Sequence, residues 1–204
     1  MINDNKFDNE ELIIEIVKEE LENSTAQSVA HHWDHIDRVY RRAIAIAVKI
    51  NDEKIDMEIL RISALLHDIS QKYYNKENHV KKSINKASDI LKKIKYPEDK
   101  TKKVLEVISQ HSTEDNNRPT SIESKILFDA DKLDGIGAIG IARVFSFCGQ
   151  NGLTPQKAIE WYKRKIDIAL SSVQTEIGKK ILEKKLKYVF DFIDKFNDEE
   201  ANVI

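Results

Sequence analysis

Apolar residues recur at three- and four-residue spacing through most of this chain, and little interrupts them: three prolines and six glycines occur in 204 residues. That period lines apolar side chains along one face of a helix, whereas a half-buried strand alternates at every second residue. Leu12, Ile13, Ile16, Val17 and Leu21 show it first. Val39, Ala43, Ile46 and Val48 repeat it, with Arg38, Arg41, Arg42 and Lys49 left to other faces. The chain is expected to be all-α. Its 204 residues can bury a sizeable core in a single domain, with a core at about 25–145 and a C-terminal helical lobe at about 153–198.

Capping and breaking residues set the expected helices. The first runs from about Asn9 to Glu22, and the second starts near His31. Asp56 caps a third, whose Ile59, Ile62, Leu65, Leu66 and Ile69 surround His67 and Asp68. A fourth covers about Val80 to Lys95 and stops at Pro97, and a fifth spans about Asp99 to Gln110. A sixth starts near Ser121 and continues through Asp129, Asp131 and Asp134 into Gly135, Gly137 and Gly140. Interior glycines cost about 0.5–1 kcal/mol each relative to alanine, so a second backbone is expected to pack closely there. Thr154 and Pro155 open a helix that reaches about Leu170, and the last runs from about Thr175 to Asn197.

Composition removes several classes of function. The 33 basic and 35 acidic residues give a formal net charge of -2, without the basic excess of a nucleic-acid binder. The pairs Lys81-Lys82, Lys92-Lys93, Lys102-Lys103 and Lys184-Lys185 are spread along helices as solvated faces. A lone Cys148 excludes an intrachain disulfide and a cysteine-based zinc knuckle, and suits a reducing cytosol. The opening residues do not read as a secretory signal, and no apolar stretch approaches the length of a membrane span. A soluble, cytoplasmic protein is expected, with a homodimer as the default assembly.

The chemistry centres on one dipeptide. In Ala64-Leu65-Leu66-His67-Asp68-Ile69 an imidazole and a carboxylate share an apolar helix segment, which is costly unless something pairs with both. A divalent metal ion suits nitrogen and oxygen ligands together. Adjacent helical residues point about 100° apart, so an ion beside the helix needs ligands from other helices. His35 and Asp131 are candidates for that closure, and His35 is the choice from the cluster His31, His32 and His35. Taken singly, each has a plainer reading: a core histidine bonded to a carbonyl, or an aspartate paired with a lysine or arginine. Asp131 and Asp134 share a helix face and repel unless a cation or base intervenes, whereas Asp129 fits an acidic first turn.

A histidine, a His-Asp pair and a distant aspartate on a later helix, here His35, His67-Asp68 and Asp131, resemble the signature of the HD-domain metal-dependent phosphohydrolases. The runs His31-His32-Trp33-Asp34-His35-Ile36-Asp37-Arg38-Val39 and Asp129-Ala130-Asp131-Lys132-Leu133-Asp134-Gly135-Ile136-Gly137-Ala138-Ile139-Gly140-Ile141-Ala142-Arg143 resemble a bacterial and archaeal single-domain subfamily of that group. The likeness covers residues 25 to about 195. It implies an HD-domain helical fold with a central metal-binding core and extra C-terminal helices. It also implies a divalent ion held by His35, His67, Asp68 and Asp131: manganese or magnesium, with cobalt, nickel and iron also found in such sites. The implied activity is hydrolysis of a phosphoester or phosphoanhydride by a water that the ion activates. Nucleotides are the usual substrates, and some close relatives cleave nucleoside triphosphates to monophosphate and pyrophosphate.

The chain departs from these relatives twice. Gln71 stands where some HD nucleotidases carry a catalytic glutamate, and an amide cannot act as a base. His32 stands where relatives often have aspartate or glycine. Lys72 and Asp134 are then the candidates for orienting water or protonating a leaving group. Arg38, Arg143 (on the expected Asp131 helix), His111 and His31 are the candidates for substrate phosphates, although Arg38 has a plainer partner in Asp34. The alternative to an enzyme is a protein of the same fold that binds a nucleotide or metal without hydrolysis.

Overall fold

Residues 5–22, 33–70, 79–113 and 117–201 are described in a computed structural model, and every regular element among them is an α-helix. In chain order these are α1 (Asn5–Glu22), α2 (Trp33–Ile50), α3 (Met57–Leu66), α4 (His79–Lys93) and α5 (Glu98–Ser109). They continue with α6 (Ile122–Asp134), α7 (Ala138–Gln150), α8 (Pro155–Ser172) and α9 (Glu176–Glu200). The caps read from the sequence are in place. Asp56 accepts hydrogen bonds from the Glu58 and Ile59 amides, and its own amide donates to Glu123 Oε1 at 2.8 Å, so one cap also ties α3 to α6. Thr154 caps α8 with Pro155 at its start, and Thr175 caps α9.

Two helices differ from expectation for identifiable reasons. Helix α3 ends at Leu66, so His67 and Asp68 lie in the turn beyond it rather than inside it. There His67 Nδ1 donates to the Ala64 carbonyl at 2.9 Å, and the Ile69 amide donates to the Leu66 carbonyl three residues back at 3.3 Å, a turn narrower than the α-helix. The expected sixth helix is two helices, α6 and α7, broken at Gly135–Gly137, where Gly137 has φ +91°. The close backbone approach is real, but the second backbone is the chain's own. A Cβ on Gly140 would lie 2.2 Å from the Gly135 carbonyl oxygen. Gly140→Ala is therefore expected to destabilise the protein by about 1–3 kcal/mol, read as a lower urea midpoint, and an unchanged midpoint would contradict the tight turn.

Asp129 is not part of an acidic first turn. It is buried in α6 and accepts from the Gln174 amide at 2.7 Å and from the Thr175 amide and hydroxyl at 2.8 and 2.6 Å, which fixes the entry to α9. Helix α2 packs on α3 and α6, α3 on α5, α6 on α9, and α7 on α8. Val39, Ala43 and Ile46 of α2, Leu60, Leu65 and Leu66 of α3, and Ile126, Leu127 and Leu133 of α6 are buried in the same hydrophobic cluster. This packing brings the start of α2, the ends of α3 and α5, and the last turns of α6 to one place. No described helix is long and apolar enough to cross a membrane.

Candidate metal centre

His35 enters this place from the first turn of α2, His67 and Asp68 from the turn after α3, and Asp131 from α6. His35 Nε2 lies 3.5 Å from Asp131 Oδ1 and 3.6 Å from Asp68 Oδ2. His67 Nε2 lies 3.7 Å from Asp68 Oδ2 and 4.0 Å from Asp131 Oδ1. These separations are too long for hydrogen bonds. Around an ion with bonds of about 2.0–2.2 Å, ligand atoms sit about 3 Å apart when adjacent and about 4.2 Å when opposite, so the observed spacing falls inside that range. The buried His67 Nε2 has no hydrogen-bond partner among the described residues, an arrangement that suits a metal ligand.

The imidazoles are held in the form a metal needs. His35 and His67 each commit Nδ1 elsewhere, His35 to Asp134 Oδ2 at 2.9 Å and His67 to the Ala64 carbonyl. An Nδ1–H bond of this kind leaves the Nε2 lone pair for coordination. Burial lowers the His67 pKa to about 4, so the ring is neutral at physiological pH. Burial works against ionisation of Asp131, but Lys132, His35 and His67 hold its carboxyl below the usual range. Asp68 shows the same balance: burial opposes its charge, and His67, His111 and His35 hold its carboxyl low.

Asp134 lies behind His35 and is fully buried. Its carboxylate accepts from His35, from Arg38 Nε at 2.8 Å and Nη2 at 3.1 Å, from Arg42 Nη1 at 3.1 Å and from Arg143 Nη1 at 2.5 Å. Contact with a water or leaving group does not fit that place, because its oxygens are already engaged by four side chains. Arg38 forks onto Asp134 rather than pairing with Asp34. Arg143 sits on α7, past the glycine break, and not on the Asp131 helix.

Residues 32–136 match the HD domain family. The chain is also 30% identical over 177 residues to the uncharacterised protein YpgQ of Bacillus subtilis, covering 83% of this chain and 84% of that protein. The chain belongs to the HD-domain family. The likeness extends to solved HD-superfamily structures over nearly the whole length. An HD-superfamily hydrolase from Bacillus thuringiensis has a TM-score of 0.71 at 29% identity, covering 98% of this chain and 100% of that one. A crystal structure of YpgQ in complex with ADP has a TM-score of 0.73 at 25% identity, covering 93% and 97%. A predicted HD-superfamily hydrolase from an uncultured Thermotogales bacterium has a TM-score of 0.66 at 31% identity, covering 93% and 91%. Family and fold together support a metal-dependent phosphohydrolase.

In this HD-domain protein a cavity of about 350 Å3 opens beside the centre, lined by His35, Asp68 and Asp131 at one end. His111 lines it too, but its Nε2 lies 3.2 Å from Asp68 Oδ1, so it reaches the free oxygen of the pair's carboxylate. Burial opposes protonation of His111, and the bond to Asp68 raises its pKa. His31, His32, Gln71 and Lys72 lie outside the described residues. Sequence reasoning passed over His79, which gathers with Asp68 and His111 into a second three-ligand group, and Lys132, which donates to Asp131 Oδ2 at 2.8 Å. It also passed over Arg42. His79 carried no signal in a lysine-rich helix, whereas Lys132 was visible as the basic neighbour of Asp131.

Proposed function

We propose that this protein hydrolyses a phosphoanhydride or phosphoester bond of a nucleotide, with one divalent ion held by His35, His67, Asp68 and Asp131. The observation that carries this reading is the buried, unpartnered His67 Nε2 facing two carboxylate oxygens, Asp68 Oδ2 and Asp131 Oδ1, from residues that line the adjoining cavity. Of manganese and magnesium, manganese suits the two imidazole donors better, because magnesium prefers oxygen ligands alone. Such an ion, when bound, supplies Lewis acidity to a phosphoryl oxygen and a lowered pKa to water. The side chains supply the rest. His67 is held neutral by burial, Asp134 orients His35, and the same carboxylate holds Arg143 on the cavity wall, where its charge offsets that of a phosphate. The ADP complex of YpgQ favours a nucleotide as the substrate.

The test is chromatographic analysis of products after incubation with manganese and a panel of nucleoside mono-, di- and triphosphates. A manganese-dependent product that disappears with a chelator is the expected outcome, and its identity names the bond cleaved. No metal-dependent product from any nucleotide overturns the hydrolytic reading in favour of binding without turnover.

A further inference from the structure

The cavity wall opposite the metal ligands is built from two matching stripes. Helix α7 contributes Gly140, Arg143, Val144 and Phe147, and α8 contributes Trp161, Arg164, Lys165 and Ile168. Both sets follow the i, i+3, i+4, i+7 spacing of a single helix face. The helices bring their aromatic members together: the Phe147 and Trp161 rings lie 4.7 Å apart at 32°. Arg143 reaches Asp134 behind His35, and Lys165 Nζ stands between the two ends, within 3.8 Å of the Cβ position of Gly135 and 5.2 Å from the centroid of the Trp161 ring. From Gly140 to Phe147 the helix rises about 10 Å, roughly the reach from a terminal phosphate through the sugar to a base. Charge therefore changes along the cavity from metal-binding groups, through guanidinium and ammonium, to half-buried aromatic rings.

We propose that the Phe147–Trp161 wall of the cleft between α7 and α8 is a nucleobase subsite, with the phosphates lying between Arg143, Lys165 and the metal ligands. The proposal rests on the nucleotide reading above and adds where the base lies and how it is read. Interhelical packing alone would explain the aromatic contact, but not why both rings remain half-exposed on the wall that also carries the cations. The cavity of about 350 Å3 is within the range of small-molecule sites. Apart from Arg164, one turn from Trp161 on the same stripe, the lining beside the rings is Val144, Ile168 and Ala169, side chains that make no hydrogen bonds to a base edge. Stacking without edge recognition tolerates every base, because each has a π-face. The substrate class is accordingly nucleoside polyphosphates of any base. Trp33, the other tryptophan, is not on the cavity wall and sits under Lys18 Nζ at 4.9 Å.

The experiment uses the manganese-loaded full chain. Trp33→Phe leaves Trp161 as the single tryptophan of the two in the sequence. ADP is expected to quench its emission to saturation, and inorganic tripolyphosphate, which has no base, is not. In steady-state assays, Phe147→Ala and Trp161→Ala are each expected to raise KM for ATP by about tenfold or more, which removes the preference for ATP over tripolyphosphate. Trp161→Phe should restore most of that preference, and the four common nucleoside triphosphates should differ by less than about tenfold in kcat/KM. Should Trp161→Ala fail to fold, the fluorescence titration still decides. Calorimetric binding of ADP without quenching, or an unchanged KM in Phe147→Ala, overturns the subsite alone. Absence of binding by any nucleotide overturns the nucleotide reading and the subsite with it.

Discussion

Asp68→Ala is expected to lose more than about a hundredfold in manganese-dependent turnover while keeping its helical content. Loss of an outer-shell partner costs about ten- to a hundredfold in metal affinity or activity, and Asp68 is placed as a ligand itself. One of its oxygens faces the Nε2 atoms of His35 and His67, and the other meets His111. Its removal leaves the two imidazoles facing Asp131 alone and takes from His111 the bond that raises its pKa. The helices themselves should persist, because α3 ends two residues earlier, although the buried His111 loses its carboxylate partner. A second readout follows from linkage: a metal that binds only the folded state raises Tm, so the manganese-dependent rise seen with the parent protein should vanish in the variant. Full activity in Asp68→Ala, or an undiminished rise in Tm, would show that the ion is held elsewhere.

The elements that local chemistry decides were the legible ones. Asp56, Thr154 with Pro155, and Thr175 each announce a helix start because a short side chain must satisfy amides two or three residues on, and that demand is written in adjacent positions. His35, His67-Asp68 and Asp131, which the structure brings together, stood out because histidine and aspartate are rare among apolar residues and suit a divalent cation. The end of α3 was not, since it depends on which way the His67 ring turns once Ala64 is fixed. Nor was the break after Asp134: three glycines signal a close approach but not which backbone arrives. Trp161 and Lys165 carry no signal of their own in the sequence, and only the packing of α8 against α7 turns them towards the cavity. The anchoring place of Asp134 was not legible, because nothing in the sequence places Arg38, Arg42 and Arg143, from two different helices, around one carboxylate.

That cluster sets the second large effect. Asp134→Ala removes a fully buried anion from among three guanidiniums whose side chains are only 23%, 18% and 17% exposed, and leaves His35 Nδ1 without its acceptor. Stripping one member from a buried ion cluster costs about 3–5 kcal/mol, and the partial exposure of the arginines favours the lower end. For a chain of this size, about 3 kcal/mol corresponds to a fall in Tm of about 6–12 °C. Asp134→Asn keeps the shape but loses the charge and turns an amide N–H towards the arginines, so it should lie closer to alanine than to the parent protein. The pH dependence gives an independent sign. Burial opposes ionisation of Asp134, yet His35 and Arg38 hold its carboxyl well below the usual range. A carboxylate whose folded pKa is depressed stabilises the fold fully above its unfolded value of about 4 and loses that contribution as pH falls further. The gap in Tm between parent and Asp134→Ala should thus be wide at neutral pH and narrow in acid. Because an unanchored His35 presents its Nε2 less well, manganese affinity should drop by about ten- to a hundredfold in the same variant. A Tm within about 2 °C of the parent, together with unchanged manganese affinity, would mean that the three arginines find water as good a partner as Asp134.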